Sequence, residues 1–222
     1  VLSNNTLGGE IPATLANCTE LRGMNIGKNK LIGTIPMELG SLTKLNVLGI
    51  AINNLTGGIP PSLGNLSSLE YVTVGYNNLE GKIPDSIGHL KSLVIFYAVV
   101  NKLIGMIPFS LYNISSIRGL TFTDNQLSGT LPTNIGHTLP NLQHFAVNGN
   151  VLFGRIPSSL CNMSRLRVLT LGQNNFVGSV PTNLGNLLDL RVLDLDTNNL
   201  GRDMDFIKSL NNCSKLETLA VA

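Results

Sequence analysis

The sequence predicts a solenoid of stacked α/β repeats, with a parallel β-sheet on its concave face and 3-10 or irregular turns on its convex face. The first supporting observation is a fixed period, since asparagines recur every 24 residues, with one step of 25 between Asn125 and Asn150. These are Asn5, Asn29, Asn53, Asn77, Asn101, Asn125, Asn150, Asn174 and Asn198. A period of this length is typical of proteins in which each coil stacks on the next.

The second observation is the apolar spacing around each asparagine. Around Asn77, apolar residues stand eight, five and three positions before it and two positions after it, at Leu69, Val72, Val74 and Leu79. Alternation with period two predicts a short strand whose apolar side chains enter the core while those between them face solvent. We expect each asparagine amide to be buried and to bond backbone groups of its own and a neighbouring coil.

The third observation is a signature after each of the first eight asparagines. It reads LGGEIP, LIGTIP, LTGGIP, LEGKIP, LIGMIP, LSGTLP, LFGRIP and FVGSVP. The glycine permits a tight bend, the next apolar residue is expected in the core, and the proline ends strand pairing and begins the convex turn. These motifs resemble the plant extracellular subclass of leucine-rich repeats. The resemblance covers the whole chain, 1–222, as a single domain and implies a right-handed superhelix.

The ninth unit, residues 199–222, is a longer variant with a helical pattern from Asp203 to Leu210. It is similar to an insertion in the plant receptor kinase subfamily that includes the flagellin, elongation-factor and rice bacterial-blight receptors. That resemblance implies a plasma-membrane receptor that binds a protein or peptide elicitor in innate immunity and recruits a co-receptor repeat kinase. A transmembrane helix and a cytoplasmic Ser/Thr kinase would then lie beyond Ala222.

The two ends of the chain lack the features that the subclass uses as caps. The sequence begins and stops within predicted strands, at Val1 and Ala222, and contains no Trp. A solenoid needs capping units to cover its terminal apolar cross-sections. We therefore expect an internal fragment of a longer ectodomain, with both caps missing and poor solubility when expressed alone.

Composition and residue spacing argue against several functional classes. Fifteen basic and thirteen acidic residues give a net charge of +2, which does not favour nucleic acid as a partner. The longest uncharged apolar stretch, residues 93–100, is too short for membrane insertion. His89, His137 and His144 fall in different coils without partners at metal-ligand or triad spacing. We expect no catalytic site, metal or cofactor, and interpret Asp194 and Asp196 as a solvated pair.

The cysteines do not form stabilising disulfide bonds. Cys18 and Cys213 occupy equivalent places in LANCTEL and LNNCSKL, where other coils carry apolar residues, so both are interpreted as core residues. They lie about eight coils apart and cannot form a disulfide. Cys161 is interpreted as a free, partly buried thiol.

Glycosylation sequons indicate an extracellular compartment. The predicted acceptors of N-linked glycans are Asn17, Asn54, Asn65, Asn113, Asn162 and Asn212; a further sequon begins at Asn4. Four of the acceptors fall twelve residues after a repeat asparagine, on a flank away from the concave sheet. The alternative is that this position simply favours Asn and Ser as turn residues.

The solvent-facing strand positions of the middle coils predict the ligand site. They form an apolar, tyrosine-rich patch of Ile52, Tyr71, Tyr76, Ile95, Tyr97, Val99 and Val100. Flanking residues Lys28, Arg118, Asp124 and His144 supply a polar rim. Such patches mark interaction sites, and tyrosine is favoured at binding hot spots. The alternative is that aromatic residues merely suit strands.

Three arginines, Arg118, Arg167 and Arg191, recur seven residues before the asparagines of their coils and favour either an acidic ligand or a solvated edge.

Two other functional classes remain open. A secreted inhibitor of microbial cell-wall hydrolases, similar to polygalacturonase-inhibiting proteins, uses the same repeats. An ice-binding repeat protein would need flat ranks of matching polar residues, whereas one rank here reads Val1, Asn25, Gly49, Thr73, Tyr97, Thr121, Ala146 and Thr170.

Overall fold

The computed structural model describes residues 2–221, so the predicted terminal strand positions Val1 and Ala222 lie outside the described residues. In chain order its strands are β1 (Gly8–Glu10), β2 (Gly23–Asn25), β3 (Lys30–Ile32), β4 (Val47–Gly49), β5 (Tyr71–Thr73), β6 (Glu80–Lys82), β7 (Ile95–Tyr97), β8 (Lys102–Met106), β9 (Gly119–Thr121), β10 (Gln126–Gly129), β11 (His144–Ala146), β12 (Val151–Arg155), β13 (Val168–Thr170), β14 (Asn175–Gly178), β15 (Val192–Asp194), β16 (Asn199–Leu200) and β17 (Thr218–Ala220). The chain forms stacked coils, and the predicted repeat solenoid is confirmed.

The concave sheet contains, within the described residues, nine strands in the order β17-β15-β13-β11-β9-β7-β5-β4-β2. Every neighbouring pair in it is parallel, and equivalent positions of successive coils lie opposite one another. Val47 is opposite Tyr71, which is opposite Ile95. A side chain at one repeat position therefore lies beside its equivalents in the coils above and below.

A second parallel sheet lies on the flank that follows each repeat asparagine, and the sequence analysis did not predict it. Its described strands have the order β16-β14-β12-β10-β8-β6, and β1 pairs separately with β3. These strands come from the segments that begin just after the asparagine and run through the glycine of the signature. Stacking places such extended segments about 4.8 Å apart, so their backbone groups bond to the next coil.

Eight of the nine repeat asparagines form the predicted ladder. Asn5 is exposed and bonds only carbonyls of its own coil, because no described coil precedes it. Asn77 donates from Nδ2 to the carbonyls of Val74 and Gly75 in its own coil, at 3.0 and 3.2 Å, and to that of Ile50 in the preceding coil, at 3.1 Å. Its Oδ1 accepts from the Leu55 N–H at 3.0 Å. The same four kinds of bond recur at Asn29, Asn53, Asn101, Asn125, Asn150, Asn174 and Asn198.

One continuous apolar core runs through the coils, and the residues predicted from the repeat lie in it. Leu69, Val72, Val74 and Leu79 are all buried. Because each coil shares its apolar cross-section with two neighbours, equivalent residues stack along the solenoid axis.

The convex side is built mainly from short 3-10 helices: Ala13–Asn17, Met37–Ser41, Pro61–Asn65, Asp85–His89, Leu111–Asn113, Ser158–Asn162, Leu184–Asn186 and Leu210–Asn212. Helix α1 (Ile135–Thr138) lies in the 25-residue coil and α2 (Asp205–Ser209) in the variant ninth unit, inside the predicted helical segment. The signature proline stands immediately before the five-residue 3-10 helices, as predicted for the start of the turn.

Close packing of glycine against serine ties neighbouring convex turns together. A Cβ on Gly64 would lie only 2.4 Å from the carbonyl oxygen of Ser86 in the next coil. The Ser86 hydroxyl in turn donates to the carbonyl of Pro61 at 2.7 Å. Any side chain at Gly64 would therefore force the two turns apart.

The cysteines differ from the sequence interpretation in one case. Cys161 and Cys213 are buried and Cys18 is exposed, and all three are free. The prediction that Cys18 fills the core was wrong for this structure. No described coil precedes the one that carries Cys18, whereas Cys213 packs on its preceding coil, with Sγ 3.6 Å from the Leu184 carbonyl oxygen.

Candidate ligand-binding face

The predicted tyrosine-rich patch lies on β5 and β7 and on the turns that follow β4, β5 and β7. Tyr71 is opposite Ile95, and Thr73 is opposite Tyr97. Ile52, Tyr71 and Tyr76 are exposed, at 42, 39 and 54% of their full areas. The other four members, Ile95, Tyr97, Val99 and Val100, are half-buried. The structure thus brings all seven residues onto three adjacent coils.

The half-buried members are covered in part by the backbone of neighbouring coils. A Cβ on Gly119 would lie 2.7 Å from Tyr97 Oη and 2.8 Å from Tyr97 Cε1, so the tyrosine ring lies across that glycine. A Cβ on Gly75 would lie 2.7 Å from Val99 Cγ2. Burial raises the pKa of the Tyr97 phenol, which keeps its hydroxyl protonated and available as a hydrogen-bond donor.

A left-handed backbone residue immediately precedes each repeat asparagine and forms the exit edge of the patch. Ile52, Tyr76 and Val100 have φ values of 60°, 54° and 51°, and Asp124 on the rim has 54°. This turn directs the following asparagine into the coil. Branching at Cβ makes the conformation unfavourable for Ile52 and Val100 in particular.

Of the predicted rim residues, exposed Lys28 lies in the coil before Ile52, and the others lie one and two coils beyond Tyr97. Arg118 and Asp124 are exposed, while His144 is half-buried on β11, opposite Gly119 and Val168. Burial lowers the pKa of His144, and the positive charge of Arg167 lowers it further. His144 is therefore held toward its neutral form, in which the ring has one donor and one acceptor.

A polar cluster beside the rim was missed in the sequence analysis. Asn148 Oδ1 accepts hydrogen bonds from Thr123 Oγ1 at 2.9 Å and Thr170 Oγ1 at 3.0 Å. These residues come from three successive coils. Thr123 and Asn148 share a repeat position, two residues before the repeat asparagine, whereas Thr170 stands four residues before its own. The bonds depend on the side-chain orientations that stacking imposes.

The arginine row, Arg118, Arg167 and Arg191, lies just before the concave strands β9, β13 and β15. Arg191 Nη1 bonds Glu217 Oε1 at 2.8 Å, whereas Arg118 and Arg167 form no ion pair with another of residues 2–221. The acid pair is partly engaged by backbone, because Asp194 Oδ1 accepts the Asp196 N–H at 3.0 Å. Arg118 and Arg167 directly precede Gly119 and Val168, the residues opposite His144 on the two neighbouring strands.

A second exposed apolar surface lies on the second sheet and was also missed. Its residues are Ile104, Met106, Val151, Phe153 and Val177, each between 42 and 56% exposed. They alternate with buried residues such as Leu103 and Leu152. Segments such as LIGM and VLF hid this face, because both the inward and the outward positions are apolar.

All six predicted glycan acceptors are exposed, as is Asn4. Five of them are the last residue of a convex 3-10 helix: Asn17, Asn65, Asn113, Asn162 and Asn212. Asn54 instead lies on the flank of the second sheet, where its backbone N–H bonds the carbonyl of Leu31.

Residues 2–221 hold no group of three or more His, Cys, Asp or Glu side chains placed to bind a metal ion. No helix in this described range is long and apolar enough to cross a membrane. The described residues belong to the stacked coils, which include no catalytic domain.

A family model described as Leucine Rich Repeat matches residues 44–66, 68–90 and 165–187. The fold is the leucine-rich repeat. Each of the three matched segments contains a concave strand and the convex 3-10 helix of the same unit. A search of curated protein sequences gave no significant match.

Solved structures of plant receptor ectodomains share this fold over nearly the whole chain. The plant peptide hormone receptor RGFR1 in complex with RGF2 is 34% identical, with a TM-score of 0.91 over 98% of this chain and 34% of its own. The Arabidopsis receptor kinase HAESA ectodomain with an IDA peptide is 29% identical, with a TM-score of 0.90 over 96% of this chain and 35% of its own. The chain thus spans about a third of each ectodomain.

Two further comparisons concern partners and alternatives. HAESA with IDA and the co-receptor SERK1 is 25% identical, with a TM-score of 0.73 over all of this chain and 44% of its own. A plant ice-binding protein is also 25% identical, with a TM-score of 0.78 over 97% of this chain and 70% of its own. Leucine-rich repeats of this type therefore serve more than one class of ligand.

Proposed function

We propose that this chain is a ligand-binding segment of the extracellular part of a plant cell-surface receptor kinase and binds a protein or peptide on its concave face. The observation that carries the proposal is the contiguous patch around Tyr71, Tyr76 and Tyr97. Of the chain's four tyrosines, only Tyr112 lies elsewhere, buried in the core. RGFR1 and HAESA, which share the fold, are described with bound peptides.

The patch suits an extended peptide with apolar or aromatic side chains. Ile52, Tyr71 and Tyr76 offer exposed apolar area, and tyrosine contributes a rigid ring at low entropic cost. The tyrosine hydroxyls also donate to and accept from a peptide backbone. Half-burial of Tyr97 and Val99 limits their motion before binding, which reduces the entropic cost of association.

The polar rim extends the same surface toward the next coils. Arg118 and His144 favour an acidic or hydrogen-bonding group beside the apolar part of the ligand, while Asp124 provides an acceptor on the opposite edge. The ligand class that follows is a peptide whose apolar segment is flanked by a polar or acidic one.

Immune signalling, a co-receptor and glycans belong to the same proposal. The ninth unit resembles the insertion of the immune-receptor subfamily, and HAESA provides a related ectodomain seen with a co-receptor, SERK1. The exposed sequons support N-linked glycans and an extracellular location on the plasma membrane. The kinase and membrane anchor are inferred from the receptor kinase resemblance alone.

Selection with a random peptide library tests the ligand site. Phage-displayed random peptides would be enriched on the wild-type protein. The dissociation constants of the enriched peptides would then be compared between the wild type and Tyr76→Ala/Tyr97→Ala. We expect affinity to fall at least about tenfold, because two hot-spot aromatic residues are removed. Ile104→Ser/Phe153→Ser, on the second sheet, is the matched control. Unchanged affinity in the tyrosine variant, at unchanged Tm, would eliminate the concave site.

The alternative classes predict different activities. An ice-binding surface needs a regular rank, but the described concave rank from Asn25 to Thr170 mixes glycine, threonine, tyrosine and alanine. Inhibition of ice recrystallisation, or of a fungal polygalacturonase, by the purified protein would favour those alternatives over the receptor.

A further inference from the structure

Five sequon asparagines lie at one place in the fold, in every second coil. Asn17, Asn65, Asn113, Asn162 and Asn212 each end a convex 3-10 helix. Their separations along the chain are 48, 48, 49 and 50 residues, which is two coils in each case. The last two separations include extra residues, yet those residues are absorbed within α1 and the variant ninth unit.

These five asparagines form a line along the stacked convex helices. We infer that N-linked glycans occupy this line in alternate coils and that the two-coil spacing is what lets adjacent glycans coexist. The inference rests on the extracellular location in the proposed function and does not depend on peptide binding. The glycans would then cover a single corner of the solenoid, where each convex helix ends and the chain returns to the next concave strand.

Each asparagine on the line has the chemistry and access that the modification requires. In the reaction the side-chain amide nitrogen loses one proton and bonds to the anomeric carbon of an oligosaccharide, while the bond from that carbon to a lipid diphosphate breaks. The hydroxyl residues of the five sequons are Thr19, Ser67, Ser115, Ser164 and Ser214, and all are exposed. An attached oligosaccharide is bulky and needs a surface position.

The intervening coils show why adjacent sites would conflict. At the equivalent position they carry Ser41, His89, His137 and Asn186, none of which begins a sequon. Asn162 Nδ2 lies only 3.4 Å from His137 Nε2, so neighbouring positions are in side-chain contact. Coils repeat about every 4.8 Å along a sheet, and two coils give roughly twice that room.

The line also limits where partners bind. It borders the convex helices, whereas the tyrosine patch lies on the concave sheet and Phe153 lies on the second sheet. Glycans on the line would cover the convex corner and leave both sheets accessible. Of the six predicted acceptors, only Asn54, on the flank of the second sheet, would place a glycan beside one of these open faces.

Glycopeptide mass spectrometry of the protein produced in plant cells tests occupancy directly. We expect glycans at all five asparagines of the line. Unmodified asparagines at most of these positions, with glycans at Asn4 or Asn54, would overturn the inference while leaving an extracellular location intact. Absence of glycan from every sequon would contradict both the inference and that location.

A sixth sequon on the same corner tests the role of spacing. Ser41→Asn creates one together with Leu42 and Thr43, in the coil between Asn17 and Asn65, and asparagine already occupies this helix-end position in other coils. We expect lower secretion, and no secreted molecule that carries more glycans than the wild type. Ser41→Asn/Thr43→Ala has the same asparagine without a sequon, and its yield should match the wild type.

Removal of the neighbouring acceptors completes the test. In Ser41→Asn/Asn17→Gln/Asn65→Gln, the introduced asparagine should be fully occupied and secretion should recover. Secreted Ser41→Asn protein that carries one additional glycan, with unchanged yield and Tm, would contradict a spacing requirement even if all five natural sites are occupied.

Discussion

Tyr97 lies across Gly119, the residue at the start of the neighbouring concave strand. A Cβ on that glycine would be within 2.8 Å of the tyrosine ring and hydroxyl, so the absence of a side chain at Gly119 sets the position of the Tyr97 ring. The relationship joins the apolar patch to the coil that carries the rim residue Arg118.

Gly119→Ala is expected to displace the Tyr97 ring, because the ring is the end of a flexible side chain and can rotate away. The free energy of unfolding should change by less than about 1 kcal/mol, while the affinity for a selected peptide falls. Isothermal titration calorimetry measures the peptide affinity, and chemical denaturation measures the free energy of unfolding. Gly23→Ala is the control, since the equivalent Cβ has its nearest neighbour, Val47 Cβ, at 4.0 Å. Equal affinities in the two variants would refute the role of Gly119.

Asn77→Leu should destabilise the solenoid strongly. The substitution leaves the buried Leu55 N–H without a partner. The carbonyls of Ile50 and Val74 lose one of two asparagine donors and keep the other, from Asn53 and Asn101. A buried group left unsatisfied costs about 1–3 kcal/mol, so we expect a loss of that size in urea denaturation. Asn78→Ala, at the next residue, should stay within about 0.5 kcal/mol of the wild type. A ladder variant as stable as that control would argue against a structural role for the ladder.

Gly64→Ala tests the close packing of the convex turns. The added methyl group would meet the backbone of Ser86, which cannot move as a side-chain tip can, and overpacking of this kind costs about 1–3 kcal/mol. Thermal unfolding should show a lower Tm than for Gly58→Ala, whose Cβ would lie 3.5 Å from its nearest neighbour. Equal Tm values would mean that adjacent turns separate freely.

Ile52→Asn should separate stability from binding. The left-handed backbone at Ile52 disfavours a branched side chain, whereas asparagine tolerates it, so we expect a gain of about 0.5–1 kcal/mol in unfolding free energy. Peptide affinity should fall, because Ile52 belongs to the patch. Thr197→Asn is the matched control, since Thr197 also has a left-handed backbone, with φ of 50°, but lies outside the patch. It should gain stability without losing affinity; loss of affinity in both variants would contradict the assignment.

Stability should decrease as the pH falls through the range in which His144 titrates. Burial and Arg167 lower its folded-state pKa below its unfolded value near 6.5. The unfolded chain therefore binds a proton first, and stability present above pH 6.5 is lost as the pH falls through the lowered pKa. His144→Gln should reduce this slope in denaturation measured between pH 7.5 and 5. An unchanged slope would show that His144 does not contribute.

The features that repeat in every coil were predictable from the sequence. The period places Asn77 and its equivalents in the ladder, and the alternation places residues such as Val72 inside and Tyr71 outside. The proline of each signature predicts where the convex turn begins. Each of these inferences depends on local spacing, which stacking repeats without change.

Features that depend on the particular side chains or segments that stacking brings together were not predictable. The second sheet arises because adjacent extended segments can bond once stacked, and its exposed Phe153 looks in sequence like any core residue. Cys18 resembles Cys213 in local sequence, but Cys213 packs on a preceding coil and no described coil precedes that of Cys18. The placement of Asn212 with the other helix-end asparagines depends on how the variant unit folds.

Hydroxyl-radical footprinting of the protein, free and with a selected peptide, tests the central claim most directly. Tyr112 is buried and serves as the unreactive standard, while exposed Phe109 and Phe153 report on the convex side and the second sheet. A ligand on the concave face should reduce oxidation of Tyr71, Tyr76 and Tyr97 and leave both phenylalanines unchanged. Protection of Phe153 with unchanged oxidation of the three tyrosines would place the ligand elsewhere and contradict the account.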